Sequence, residues 1–143
     1  MKIFYWAPWL GKVGSVKSVM NSANILEKYS KNHIKTRIID AVGEWKEFYN
    51  DYRYIDLTKI KFFNFLPKKG FLNSRLSYIF IFLFSFFPLL KLLKKEKPDY
   101  LVVHLITSLP IILKMIFKIN TKIILRISGY PKMNFFRTFI WKK

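Results

Sequence analysis

His104 is one of only two histidines in the chain, and it stands in "KPDYLVVHLITSLP" between an apolar run and the hydroxyl pair Thr107 and Ser108. An imidazole changes charge near neutral pH and can donate or accept a hydrogen bond, so at an open position it suits acid–base or ligand-binding work. At the end of a buried strand the same residue is a packed side chain, and the sequence leaves both readings open. Arg126 interrupts an apolar stretch, "TKIILRISG", and a guanidinium there must find an anion, a carboxylate such as Asp99, or water. Gly11 and Gly14, followed by Ser15 in "WLGKVGS", suit a loop whose backbone approaches a phosphate, although "GKVGS" is neither a dinucleotide fingerprint nor a Walker A motif. Asp40 has the position, and no more than the position, of a ribose-binding acid. No pair of carboxylates, no metal-ligand cluster and no Ser/His/Asp spacing stands out, and His33 reads as a solvated loop residue.

Placing these groups requires the elements around them. "KIFYWAP" is a short aromatic-rich run closed by Pro8 and predicts a first strand. Val16, Val19, Met20, Ala23 and Leu26 line one face of a helix ending near residues 30–32. "IKTRIIDA" predicts a second strand ending at Asp40. Residues 44–69 are mixed: a short helix around Trp45 to Tyr52, then strands in "RYIDL" and "KIKFFNF". Pro98 stops a long apolar helix at about 72–96. "YLVVHL" reads as a fully buried strand, Thr107 or Ser108 as the cap of a helix with Pro110 in its first turn, and "TKIILRISG" as another buried strand ending at Gly129. "NFFRTFIWKK" begins one more helix.

Strands that alternate with helices predict an α/β fold: a single Rossmann-like, three-layer domain over residues 1–143 with an open, mostly parallel sheet and right-handed crossovers. In such sheets ligands bind at the carboxyl ends of the strands. The Gly11–Ser15 loop, Asp40, His104 to Ser108 and Arg126 all fall at that edge.

The totals narrow the partners. The chain has 143 residues, 52% hydrophobic and 19% aromatic, which excludes disorder and is apolar for a soluble domain. A net charge of +18 attracts anions, whether lipid, nucleotide or nucleic acid. The lysines are scattered and no recognition motif accompanies them, so nucleic acid is not the expected partner. The absence of cysteine removes disulfides and thiolate sites, and the N-terminus lacks the features of a signal peptide.

"KIFYWAPWLGKVGSVKSV", "KPDYLVVHLITSLPIIL" and "TKIILRISGYPKMNFFRTFIWK" together resemble the N-terminal, acceptor-side half of a GT-B glycosyltransferase of the family-four type, found in bacterial surface-polysaccharide synthesis. The resemblance implies transfer of a sugar from a nucleotide-sugar to a lipid-linked or glycan acceptor. It implies His104 facing the transferred sugar as the catalytic residue, and the loop of Gly11, Gly14 and Ser15 as substrate-binding; Thr107, Ser108 and Arg126 join the expected substrate-binding residues by their place at the same sheet edge. The family's second domain, which holds the nucleotide-sugar, has no counterpart here. The expectation is therefore an incomplete half, inactive alone, with a separate donor-domain chain as a partner and no cofactor or metal of its own.

The segment Leu76 to Leu90 is fifteen residues without charge, about 22 Å of helix and short of the ~30 Å hydrocarbon core of a bilayer. Arg75 precedes it, and Lys91, Lys94 and Lys95 follow. This predicts contact with an anionic membrane surface through Arg75, Phe80, Phe84, Phe87, Lys91, Lys94 and Lys95, peripheral on the cytoplasmic face of the bacterial plasma membrane. A buried core helix is the alternative for this segment. For the whole chain, the alternative is a non-catalytic, membrane-associated scaffold.

Overall fold

A computed structural model describes residues 1–11, 14–31, 33–48, 53–68 and 70–127. Five parallel strands form one sheet: β1 (Lys2–Trp6), β2 (Lys35–Asp40), β3 (Tyr54–Asp56), β4 (Tyr100–Val103) and β5 (Lys122–Leu125), in the spatial order β3-β2-β1-β4-β5. Three α-helices cover it: α1 (Gly14–Tyr29), α2 (Phe71–Glu96) and α3 (Ser108–Phe117). The order is that of doubly wound, Rossmann-like sheets, in which the chain leaves the central β1 in one direction and later returns to run in the other.

The alternation of side chains along each strand divides the core into two layers. Ile3, Tyr5 and Ile38 face Val16, Val19 and Ala23 of α1. Phe4, Trp6, Ile39, Leu101 and Val103 face Ile81, Leu89 and Leu93 of α2 and Leu109 and Leu113 of α3. Helices that follow strand-to-strand steps in opposite directions thus lie on opposite faces, as crossovers of one hand require. Trp6, Tyr5, Ile38 and Leu101 are almost wholly buried, and each large side chain removed from water contributes about 2–3 kcal/mol.

Two expected strands differ. "KIKFFNF" holds a 3-10 turn at Phe63–Phe65 instead of a strand, and its Phe63 packs edge-on against Trp9 with ring centroids 5.2 Å apart. β5 lies at the edge of the described sheet and is only half covered, with Ile124 44% exposed, so it is not the buried strand that its composition suggests. β4 is likewise shorter than "YLVVHL", ending at Val103, and only alternate residues are buried. In the segment Trp45 to Tyr52, where a short helix is expected, the described residues hold a 3-10 turn at Lys46–Phe48. Part of that segment, and the expected features at Gly129 and "NFFRTFIWKK", lie outside the described residues.

α2 carries the most informative correction. By length and composition it is apolar enough to cross a membrane, and its sequence looks apolar all round. In the structure Ser77, Ile81, Ser85, Leu89 and Leu93 form the buried ridge, four residues apart. Ser77 Oγ donates to the Pro67 carbonyl at 2.6 Å. The opposite face exposes Leu72, Leu76, Phe80, Leu83, Phe84 and Phe87, the last by 73%. Both serines of this ridge point inward while the phenylalanines at 80, 84 and 87 point out, the reverse of an ordinary surface helix. Lys91, Lys94 and Lys95 continue the outer face, and Arg75 is also exposed.

Candidate functional site

The sheet ladder itself places His104 and Arg126. His104 N–H donates to the Trp6 carbonyl at 3.0 Å, and Arg126 N–H donates to the Val103 carbonyl at 2.9 Å, each one step beyond the last strand residue. Val103 is registered opposite Leu125, so His104 and Arg126 emerge side by side at the carboxyl edge. They do so where β1 and β4 diverge to opposite sides of the fold, the switch point at which open α/β sheets form crevices.

His104 is half-buried, and its Nε2 is shielded from water with no hydrogen-bond partner among the described residues. Burial, helped by the nearby Arg126 charge, lowers its pKa to about 4. The ring is therefore neutral at pH 7, with an unsatisfied nitrogen in a sheltered position. Arg126 is exposed and stands beyond the end of β5 instead of inside a buried strand. The expected partner Asp99 is at the other edge of the sheet, where its carboxylate accepts the Lys2 N–H at 2.7 Å. The Arg126 charge also acts on the Tyr5 hydroxyl, which is hydrogen-bonded to Ser22 at 3.0 Å and raised in pKa mainly by burial.

The loop from His104 into α3 is strained. Ile106 has φ of +48°, a left-handed conformation that a β-branched residue adopts at a cost. The Trp6 indole N–H reaches the Ile106 carbonyl at 3.4 Å and helps to hold it. Thr107 is the N-cap of α3, but its side chain makes no capping hydrogen bond, so its position was foreseen and its bond was not. Ser108, the first helical residue, lines an apolar hollow of about 370 Å³ with Leu105, Ile106, Tyr78, Ile79 and Phe82.

Gly11 lies in a different hollow on the same edge, about 630 Å³ in volume, bounded by Trp9, Phe63, Asn64, Lys46, Glu47 and Lys68. Of the predicted residues only Ser108 and Gly11 line these hollows, one in each; His104, Thr107 and Arg126 stand beside them without lining either. Gly14 opens α1, and Cβ atoms built on Gly11 and Gly14 meet nothing within 4 Å. Neither glycine adopts a left-handed φ, so nothing in the chain itself demands glycine there. Ser15 falls in the first turn of α1.

The hollow beside Gly11 has an aromatic wall that the sequence reading passed over. Trp9 packs edge-on to Trp45 at 6.1 Å and Phe48 at 6.3 Å as well as to Phe63, and the Lys68 ammonium sits 3.7 Å above the Phe63 ring. Trp9 is 3% exposed, and its indole N–H is buried without a partner among the described residues. The available signal was a tryptophan just beyond the ends of two adjacent strands, in "WAPW" and "GEW".

Asp40 is fully buried and is a structural residue, not an open acid. It accepts the Gly43 N–H at 2.7 Å and the Lys61 ammonium at 3.2 Å, and Lys61 also reaches Asp56 at 2.6 Å. Glu44, equally buried, takes the Ala41 and Val42 N–H groups at 3.0 and 2.8 Å. Burial, and next the hydrogen bond and charge of Asp40, push its carboxyl well above the usual range. Through these two backbone N–H groups Glu44, beside Asp40, holds the β2 exit turn.

His33 is exposed; its backbone carbonyl accepts from the N-terminal ammonium at 3.0 Å and its backbone N–H donates to the Ser30 carbonyl at 3.0 Å. Among the described residues no group of three or more His, Asp or Glu side chains could hold a metal ion. No protein-family profile, curated protein or solved structure matches the chain.

Proposed function

We propose that the chain is the acceptor-side half of a retaining, two-domain glycosyltransferase of the GT-B type. It transfers a sugar from a nucleotide-sugar to a lipid-linked or glycan acceptor at the inner face of a bacterial membrane. The observation that carries this reading is the unpartnered, sheltered Nε2 of a neutral His104 at the switch point, one ladder step from Arg126. A neutral imidazole there can exchange a hydrogen bond with a sugar hydroxyl, and Arg126 offers an exposed cation to a donor phosphate. The neighbouring hollow, bordered by Trp9 and Phe63 with Asn64, Lys46 and Lys68, has the volume for a sugar ring or lipid-linked group. In this architecture the nucleotide-sugar is held by a second domain, on a companion chain or elsewhere in a longer polypeptide.

The test is sugar transfer by the assembled enzyme with His104→Ala. Turnover falls at least tenfold while the far-ultraviolet circular dichroism is unchanged; unaltered turnover returns His104 to the packing class and removes the reading.

A second reading, a membrane-associated scaffold without catalysis, is favoured by the outward phenylalanines of α2, whose exposure owes nothing to His104. Both readings share peripheral binding to anionic lipid through Arg75, Phe80, Phe84, Phe87, Lys91, Lys94 and Lys95.

A further inference from the structure

At the amino edge of the sheet, remote from His104, a cavity of about 580 Å³ lies between the C-terminal ends of α2 and α3. Four lysines line it, Lys94, Lys97, Lys118 and Lys122, against one carboxylate, Asp99, which is already engaged by the Lys2 N–H. Among the described residues neither Lys97 nor Lys118 is in an ion pair. Each stands just past a helix end in the left-handed conformation, with φ of +44° and +49°, the position where glycine is favoured. Lys94 lies 5.1 Å from the Phe117 ring centre and Lys122 5.6 Å from that of Tyr100, so aromatic faces border two of the ammonium groups.

Leu93, Pro98, Phe117 and Ile119 supply an apolar part of the wall, and Asn120 and Thr121 a polar one. Lys94 also belongs to the hollow formed by Phe87, Leu90, Lys91 and Lys95 on the outer face of α2. Lys94 is thus shared between the cavity and the outer face of α2, and this adjacency argues for an occupant with both an anionic head and an apolar tail.

We propose that this cavity binds a phosphomonoester or diphosphate group carried as the headgroup of a membrane lipid. Ammonium groups are point-charge phosphate ligands, and a concave cluster of them recognises a dianion better than a flat basic face does. The inference rests on the membrane-contact reading of α2 and adds the headgroup chemistry to it.

The test is flotation of the full chain with phosphatidylcholine vesicles containing either phosphatidic acid or phosphatidylglycerol, matched in surface potential. Binding is at least fivefold tighter to phosphatidic acid; Lys97→Gln with Lys118→Gln abolishes that preference, and Lys28→Gln with Lys35→Gln, an equal loss of charge elsewhere, preserves it. Equal binding to both vesicles overturns the headgroup site and leaves the membrane reading intact. A preference that survives Lys97→Gln with Lys118→Gln, or is lost equally with Lys28→Gln and Lys35→Gln, also overturns the site. Binding to neither removes the membrane reading and, with it, the lipid source. Calorimetric titration with inorganic pyrophosphate then separates the remainder: heat lost in the Lys97/Lys118 variant assigns the cavity to soluble phosphates and overturns the headgroup proposal, and absence of heat overturns the site altogether.

Discussion

Replacing Phe84 and Phe87 together by serine separates a membrane-facing α2 from a core helix. The two rings are 56% and 73% exposed. With roughly 200 Å² available to each phenylalanine, they leave about 250 Å² of apolar surface in water, worth about 6 kcal/mol at ~25 cal/mol per Å² if fully immersed. A helix lying in the interface immerses about half of such a face. The pair then contributes about 3 kcal/mol to membrane partitioning, a factor of ~100. The assay is flotation with vesicles containing phosphatidylglycerol, in parallel with thermal unfolding. The account predicts a partition coefficient at least thirtyfold lower and a Tm within a few degrees of the parent, the small change reflecting the lost Phe62–Phe84 contact at 5.0 Å. Unchanged partitioning with a large fall in Tm would refute the reasoning and make this face part of a packed core or a protein interface.

Three further outcomes follow from the geometry. Because burial and Arg126 lower the His104 pKa from 6.5 to about 4, its neutral form stabilises the fold above pH 6.5, and this contribution is lost as pH falls towards 4. Discounted for the solvent that reaches a half-buried ring, the loss is about 1–2 kcal/mol; denaturant titrations at pH 7 and 4.5 show His104→Gln losing less stability than the parent over that interval, and equal losses contradict it. Gly43→Ala destabilises by about 2 kcal/mol or more in urea unfolding, since φ is +100° and the new Cβ meets the Lys61 side chain at 3.0 Å; a neutral result removes the account of the β2 exit turn. Lys97→Gly relieves the left-handed C-terminal residue of α2 and raises stability by about 1 kcal/mol, read as an increase in Tm; a lower Tm shows instead that the lysine stem packs productively.

The parts of the fold set by periodicity were legible. Val16, Val19 and Ala23 announce the inner face of α1 by spacing alone, and all three are buried. His104 was legible as a strand-end residue because an apolar run ends beside it, although the strand closes two residues earlier than composition suggests. Phe80, Phe84 and Phe87 of α2 were expected to face outward and are exposed, but its buried ridge was not legible, because a segment of fifteen uncharged residues carries too little contrast to show which face packs. It is decided by tertiary contact: Ser77 and Ser85 are buried, Ser77 donating to the Pro67 carbonyl, while Phe80, Phe84 and Phe87 are left exposed.

The candidate site was legible in part for similar reasons. Alternation in "KIKFFNF" is what a strand shows, yet the segment turns so that Phe63 can meet Trp9. Aromatic residues near strand ends read as core, so the wall of the Gly11 hollow passed unnoticed. Asp40 has the position of a ligand-binding acid, and only the structure reveals Glu44 and Lys61 closing over it. Of the surroundings open to Arg126, an anion, a carboxylate or water, its position beyond the end of β5 gives it water.

The central claim is sugar transfer dependent on His104. The direct measurement is incorporation of label from a panel of radiolabelled nucleotide-sugars into the lipid and glycan fractions of membranes that contain the assembled enzyme, with the parent chain or with His104→Ala. The account predicts label transferred from one donor, retained with the parent and reduced at least tenfold with His104→Ala. Transfer from no donor, or transfer indifferent to the substitution, would contradict it.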